Sequence, residues 1–222
     1  MIVLGLDTCL SSCSVAVLDT EAGGGGRVLA YGAEVMARGH QERLAPMAQA
    51  VMADAGLAFG ALERIAVTVG PGSFTGLRVG VAFAKGLAAS LSIGAAGVGT
   101  LEALAAEAPG LVFAAIDARR DQIYLQAFED GHALMAPDAL HIDTAAARLA
   151  EIAGGRTPTL VGSGAALLAP MITGAPVIAA EGCDARKVAR LGAARAPSPL
   201  RPLYLRAPDA KLPASARDNP AA

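Results

Sequence analysis

Apolar and polar positions alternate along this chain in two recurring rhythms. Residues 2–7 are a short apolar run ending in Asp7, residues 8–12 read as a turn, and residues 13–18 alternate again, which predicts a β-hairpin with an aspartate at the end of its first strand. Gly23 to Gly26 mark a loop, and residues 27–36 predict a third strand. From residue 40 the period changes. Leu44, Met47, Ala48, Val51, Met52 and Ala55 fall at helical spacing, Gly56 suits the C-terminal cap, and Pro46 must lie in the first turn or two or kink the helix. A β-branched strand at 65–69, a helix to about residue 90 and a strand at 93–98 follow. The hairpin pattern then returns: an apolar strand at 111–116 ends in Asp117, residues 118–121 turn, and residues 122–128 alternate. The two aspartates lie 110 positions apart, an echo of the kind a duplicated domain leaves. Helices at 143–153, 165–172 and 184–194 and strands at 159–162 and 176–179 complete the pattern. Beyond residue 197 a Pro- and Ala-rich tail reads as extended, then as disordered past Pro213.

Between the strand at 65–69 and its helix lies Gly70-Pro-Gly-Ser-Phe-Thr-Gly-Leu-Arg78. Gly70 and Gly72 open backbone angles closed to other residues, while Ser73 and Thr75 are both suitable N-caps. A strand–glycine loop–helix junction can hold an anion, although this one lacks the Lys-Ser/Thr ending of a P-loop. Arg78 in the first helical turn opposes the helix dipole, so it calls for a carboxylate partner or an anionic ligand. Gly76, Gly80, Ala84 and Ala88 recur every four residues as a stripe with almost no side chain. Such a stripe serves either an interface with another chain or close packing inside the domain. Met47, Val51 and Met52 offer adaptable apolar surface to the first use.

Composition narrows the classes. Apolar residues make up 54% and charged ones 17% of 222, enough to bury a core and against global disorder. A net charge of −2 gives no basic field to hold nucleic acid strongly alone. Cys9, Cys13 and Cys183 are few and odd in number, which suits a reducing cytoplasm. Cys9 and Cys13 have no second Cys/His pair nearby to complete a metal site. The first residues lack a basic leader region. The apolar stretch 79–98 carries Lys85 and several small polar residues, so it reads as helix plus strand rather than a membrane span.

Several residues have two readings. Asp7, Thr8 and Ser11 in the first hairpin turn either face phosphate or satisfy the turn backbone. Asp117 and the charged turn after it invite either an acid/base role or plain turn chemistry. His40 stands alone, with Leu44 four positions on, and no His-Glu-x-x-His string occurs. His132 and His141 read as surface loop residues.

Two α/β halves that each open with a strand–Asp–turn–strand hairpin resemble the actin/sugar-kinase/chaperone superfamily, a ribonuclease H-like fold, with a shortened second lobe. The expected lobes are residues 1–101 and 102–222. The 70–78 string resembles the signature of the bacterial TsaB (YeaZ) family. So do Leu6-Asp-Thr8, Cys13-Ser-Val-Ala16, His40-Gln-Glu-Arg-Leu-Ala-Pro-Met47, Ala84-Lys-Gly-Leu87, Ile116-Asp-Ala-Arg119 and Pro202-Leu-Tyr-Leu-Arg206, in the family's order. The resemblance implies a non-catalytic subunit in making N6-threonylcarbamoyladenosine beside the tRNA anticodon. It implies pairing with the catalytic paralogue TsaD, assembly with the small ATPase TsaE, and tRNA contact through the complex. On this reading His40, Leu44, Met47, Val51, Gly76, Gly80, Ala84 and Ala88 form the partner interface. Asp7, Thr8, Ser11, Gly72, Ser73 and Arg78 are candidates for anion binding. No cofactor or metal is expected in the isolated chain, ATP or ADP is a candidate ligand at the subunit junction, and the free chain is a candidate homodimer. The alternative is a stand-alone nucleotide-dependent kinase or ATPase, for which Val161-Gly-Ser-Gly-Ala165 is the candidate second phosphate loop.

Overall fold

The computed structural model describes residues 1–22 and 26–206. The 23–26 loop falls largely outside this range, and the expected disorder past Pro213 wholly so. The first hairpin forms as its alternation predicts. β1 (Ile2–Asp7) pairs antiparallel with β2 (Ser12–Asp19), which pairs with β3 (Arg27–Val35). α1 (His40–Asp54) follows, with Pro46 in its second turn and Gly56 at positive φ just past its end. β4 (Arg64–Thr68), α2 (Phe74–Leu91) and β5 (Gly94–Val98) complete a first sheet of order β3-β2-β1-β4-β5, in which β4 and β5 run parallel to β1.

The second half rebuilds this plan. After α3 (Thr100–Ala105), β6 (Leu111–Asp117) and β7 (Gln122–Glu129) form the second hairpin. β8 (His132–Ala133) and β9 (Asp138–His141) both pair on β7. α4 (Ile142–Ala153) leads to β10 (Thr159–Val161), then α5 (Ala165–Leu168), β11 (Val177–Ile178) and α6 (Ala185–Ala193). β10 lies parallel to β6, and β11 parallel to β10, so this sheet runs β11-β10-β6-β7-β8. Both sheets therefore set an antiparallel hairpin beside two parallel strands added on the first strand's side, which is the duplication the paired aspartates announced.

The apolar positions sort into three layers. Leu4, Leu6, Val15 and Val67 on one face of the first sheet pack under α1 and α2. Val3, Ala66 and Val98 on its other face meet α3, α6 and one face of the second sheet through Val112, Ala114 and Ile116. Phe113, Leu125 and Leu160 pack against α4 and α5. α6 presents Ala185, Ala189 and Gly192 to the first sheet. The approach is so close that a Cβ on Gly5 would lie 2.2 Å from the Ala185 carbonyl oxygen, and one on Gly192 2.3 Å from the Ala66 Cβ. The last helix of the second half thus packs against the first sheet, and a clean division at residue 101 misplaces it. Arg64 reaches the carbonyls of Ala193 and Arg195 and neutralises the negative end of α6.

The expected 165–172 helix is shorter. α5 stops at Leu168 and a 3₁₀ turn holding Pro170 follows, because proline supplies no N–H to continue the ladder. α3 escaped the periodicity because five of its six residues are fully buried, which leaves it no polar face to mark a period. His132 and His141 are exposed as expected, but they sit in short strands rather than loops.

Candidate functional site: the cleft between the two hairpin turns

The two hairpin turns and the signature loop face each other across a cavity of about 350 Å³. Ser11 lines it from the first turn, Gly72 and Ser73 from the loop before α2, and Asp117 and Arg119 from the second turn. Tyr124, Ser163 and Glu181 close its far side. Ser73 caps α2 as its residue type predicts, accepting from the Gly76 N–H at 3.3 Å, while Thr75 sits within the first turn.

The first turn is sealed. Asp7 is completely buried, and its Oδ1 accepts from the Thr68 hydroxyl at 2.6 Å and the Cys9 N–H at 3.1 Å. Its Oδ2 accepts from the Cys183 N–H at 2.9 Å. Burial pushes this carboxyl above the ordinary aspartate range, with the three hydrogen bonds acting against it. Thr8 is equally buried and donates its hydroxyl to the Gly76 carbonyl at 2.7 Å. The signature loop is stitched to the same turn. The Ser73 N–H donates to the Cys9 carbonyl at 2.7 Å, and a Cβ on Gly72 would lie 2.3 Å from that oxygen. The glycine serves backbone-to-backbone contact inside the chain. Asp7 and Thr8 therefore do not face a phosphate; they join β1, α2 and the strand-to-helix connection before α6. Of the six anion candidates, Ser11, Gly72 and Ser73 remain on the cavity wall.

Among the described residues no carboxylate pairs with Arg78. Its guanidinium stacks 3.6 Å from the centre of the Phe74 ring, and its Nε donates to the Tyr204 hydroxyl at 3.3 Å. The Phe74 and Tyr204 rings lie 5.1 Å apart. Tyr204 belongs to a strap along the edge of the first sheet, where Ser198 donates to the Ala95 carbonyl and Leu203 to that of Val69. Farther along the strap, Arg206 Nη1 donates to the Ala118 carbonyl of the second turn at 2.7 Å.

The second turn is open and strained. Asp117 repeats the local geometry of Asp7: its Oδ1 accepts from the N–H two residues on, that of Arg119, at 2.7 Å. Its side chain, however, is 30% exposed where that of Asp7 is buried. Arg119, Arg120 and Asp121 all have positive φ, at 63°, 55° and 57°. None is glycine, and each such residue costs about 1–2 kcal/mol. The loop after β10 supports the turn: the Asp117 N–H donates to the Ser163 hydroxyl at 3.2 Å and the Gly164 N–H to the Ala115 carbonyl at 3.0 Å. The Gly162 N–H donates to the Ile178 carbonyl. The candidate second phosphate loop thus spends both glycine amides on its own fold.

His40 is buried, and its Nε2 lies 3.1 Å and 3.2 Å from the carbonyls of Leu10 and Ser12. Two carbonyl acceptors require that nitrogen to carry the proton, so the imidazole pins α1 to the first turn. No cluster of three metal-ligating side chains occurs among the described residues. The eight residues expected at a partner interface, His40, Leu44, Met47, Val51, Gly76, Gly80, Ala84 and Ala88, are all buried within this chain. The stripe faces its own sheet: a Cβ on Gly76 would lie 2.0 Å from the Thr8 carbonyl oxygen, and one on Gly80 2.5 Å from the Thr8 hydroxyl. Close packing inside the domain is the use the stripe serves. Burial raises the Cys9 thiol to about 12 and Cys13 to about 11, and Cys183 well above its usual range.

Tyr124, Glu181, Tyr204 and Arg206 were not singled out from the sequence as site residues. The run Pro202-Leu-Tyr-Leu-Arg206 was visible as a string, but nothing local says that a tail crosses to the cleft.

Comparison with known proteins agrees with this architecture. Residues 33–161 match the family described as "TsaD: tRNA N6-adenosine threonylcarbamoyltransferase". The tRNA threonylcarbamoyladenosine biosynthesis protein TsaB of Escherichia coli is 33% identical over 156 residues, covering 64% of this chain and 65% of that protein. YeaZ from Pseudomonas aeruginosa superposes with a TM-score of 0.73 at 27% identity, over 92% of this chain and 99% of that one. An activator of 2-hydroxyisocaproyl-CoA dehydratase from Clostridium difficile, 11% identical, shares the fold with a TM-score of 0.50 over 87% of this chain and 93% of its own. With its two-lobed actin-like fold, the chain belongs to this family of tRNA threonylcarbamoyladenosine biosynthesis proteins, as a TsaB-like member.

Proposed function

We propose that this chain is the non-catalytic partner subunit of a tRNA N6-threonylcarbamoyladenosine transferase, paired with a TsaD-like catalytic paralogue. One observation carries the reading. The loops that would cradle nucleotide phosphates are bonded to each other, through Ser73 N–H to the Cys9 carbonyl and the Thr8 hydroxyl to the Gly76 carbonyl. Phosphate would have to break these contacts to enter. A metal site on α1 also lacks its second ligand, because Leu44 stands four residues after His40 and is buried. A TsaE-like ATPase and tRNA join through the complex, and any ATP or ADP sits at the subunit junction. The cytoplasm is the expected compartment; no described helix is long and apolar enough to cross a membrane.

The pairing surface is the outer side of α1 and α2, opposite the stripe. Gln49, Ala50 and Ala53 on α1 and Ala82, Gly86 and Ala89 on α2 are exposed there. A Cβ on Gly86 would meet nothing within 4 Å. A low surface of this kind admits a partner helix, and it also permits a homodimer when the chain is alone.

Size-exclusion chromatography with light scattering, on this chain alone and mixed with a TsaD-like protein, tests the reading. The expected result is a one-to-one complex that modifies tRNA, with neither protein active alone. Gly86→Arg should fold and fail to pair. Absence of a complex, together with ATP hydrolysis by the isolated chain, would establish the kinase alternative instead.

A further inference from the structure

Cations and aromatic rings gather on one surface at the mouth of the cleft. The second turn holds Arg119 and Arg120 in left-handed backbone, and the Arg119 side chain is 85% exposed. Its contact with Asp117, 3.4 Å away, is a solvent-facing pair too weak to neutralise it for a ligand. The strap brings Arg206 to the carbonyl of Ala118, next to that turn. Two residues back, Tyr204 lies tilted at 42° against Phe74 with 43% of its surface exposed, and Arg78 adjoins both rings. Arg78 donates its Nε to Tyr204 and is itself exposed. Arg78, Arg119 and Arg206 meet here, with the carboxylates of Asp117 and Glu181 on the cavity wall beside them.

We propose that this surface binds a single-stranded loop of RNA: Tyr204 stacks an unpaired base while Arg78, Arg119 and Arg206 hold the flanking phosphates. Stacking on an exposed ring tolerates any base, and planar guanidinium groups match phosphate oxygens in pairs. The strained turn serves this use, because it holds the Arg119 side chain 85% exposed on the cavity wall. The strap couples the two halves of the surface, so stack and turn form one platform rather than two unrelated patches. The proposal rests on the tRNA-modification reading for its partner; Arg78 lies one turn before Ala82 on α2, so the RNA surface borders the proposed pairing face.

The experiment measures binding of a fluorescein-labelled anticodon stem-loop RNA to the complex with the TsaD-like protein, by anisotropy across a salt series. Arg78→Gln and Arg119→Asn should each weaken binding about three- to tenfold and lower the salt slope by about one. Asn tolerates the left-handed backbone at 119, so the turn is kept. Tyr204→Leu should weaken binding about fivefold or more with the slope unchanged, and Tyr204→Phe should restore it. Complex formation, followed by light scattering, should be the same in all four variants. Unchanged affinity and slope in the Arg78→Gln/Arg119→Asn/Tyr204→Leu triple variant, with the complex intact, would overturn the proposal and leave the partner reading standing. If no complex forms, that reading fails, and the same variants tested on the isolated chain with a single-stranded RNA dodecamer decide the surface by the same criteria. Equal competition by polyglutamate of matched charge would also overturn the proposal, because it would show charge attraction without base stacking.

Discussion

Gly76 and Gly86 share one helix and one residue type, and the structure gives them opposite surroundings. A Cβ at Gly76 would lie 2.0 Å from the carbonyl oxygen of Thr8, against roughly 3.5 Å for a comfortable contact. The obstacle is backbone, so α2 must lift from the first turn by on the order of 1 Å. Overpacking of this kind costs about 1–3 kcal/mol. The same movement stretches the bond from the buried Thr8 hydroxyl to the Gly76 carbonyl, worth about 1 kcal/mol. Replacing a helical glycine by alanine returns at most about 1 kcal/mol. Gly76→Ala should therefore destabilise by about 2–3 kcal/mol, and Gly86→Ala, with open space around it, should stabilise by up to about 1 kcal/mol. For a chain of this size the first lowers Tm by roughly 5–10 °C and the second raises it by roughly 2–4 °C. Urea unfolding followed by circular dichroism reads both, and the helix-propensity contribution largely cancels between them. A Gly76→Ala protein as stable as wild type would refute the reading of the stripe as the joint between α2 and the first turn.

Other outcomes follow from the same contacts. Because burial raises the folded-state pKa of Asp7, the unfolded chain loses this proton first as pH rises past the ordinary aspartate value of about 4. Stability owed to Asp7 should then fall with rising pH and level off above the folded-state value; a wild-type advantage over Asp7→Asn that grows with pH would contradict this. The three buried, high-pKa thiols should resist a chromogenic disulfide reagent near pH 8 and react together once denaturant is added. A thiol that reacts rapidly in the native protein would show the packing around Asp7 to be open. Gly192→Ala should cost about 1–3 kcal/mol, because its Cβ would meet Ala66 at 2.3 Å and push α6 off the first sheet. An unchanged urea midpoint would mean that α6 is not seated as described.

Local periodicity made most of this fold legible. Both hairpins, α1, α2 and the parallel strands stand within a residue or two of where alternation and capping put them, and Ser73 caps α2 as its type predicts. Partnership across the chain was not legible. The spacing of Gly76, Gly80, Ala84 and Ala88 says that they share a face, but only the tertiary structure says that Thr8 and Val67 lie opposite. The same limit explains Asp7. An aspartate at a strand end suits a ligand or a turn equally, and the decision comes from Thr68 and Cys183, 61 and 176 positions away. Arg78 misled for a different reason. A cation at a helix N-terminus implies a compensating negative charge, and the compensation here is the electron-rich face of Phe74. α6 gave no sign that it returns to the first sheet, because its apolar stripe would serve either sheet.

The two hairpins make the strongest argument about division of labour. Each begins from one local device, an aspartate accepting the N–H two residues on. In the first, every remaining oxygen interaction goes to the chain's own groups, so the aspartate became a structural joint where β4 and the segment before α6 meet. In the second, the aspartate is partly exposed and the following turn holds three residues in backbone that costs about 1–2 kcal/mol each. A purely structural turn would lose nothing by carrying glycine or asparagine there. This one keeps two arginines and an aspartate, so the side chains must be worth more than the relief of strain. Burial at the first turn and exposure at the second leave the cleft mouth, not the first turn, chemically equipped. Replacing Arg119 by glycine separates the two contributions. If the turn is strained for the sake of its side chains, Arg119→Gly should raise Tm while weakening RNA binding. A variant that lost both stability and binding would show instead that the Arg119 side chain holds the turn together.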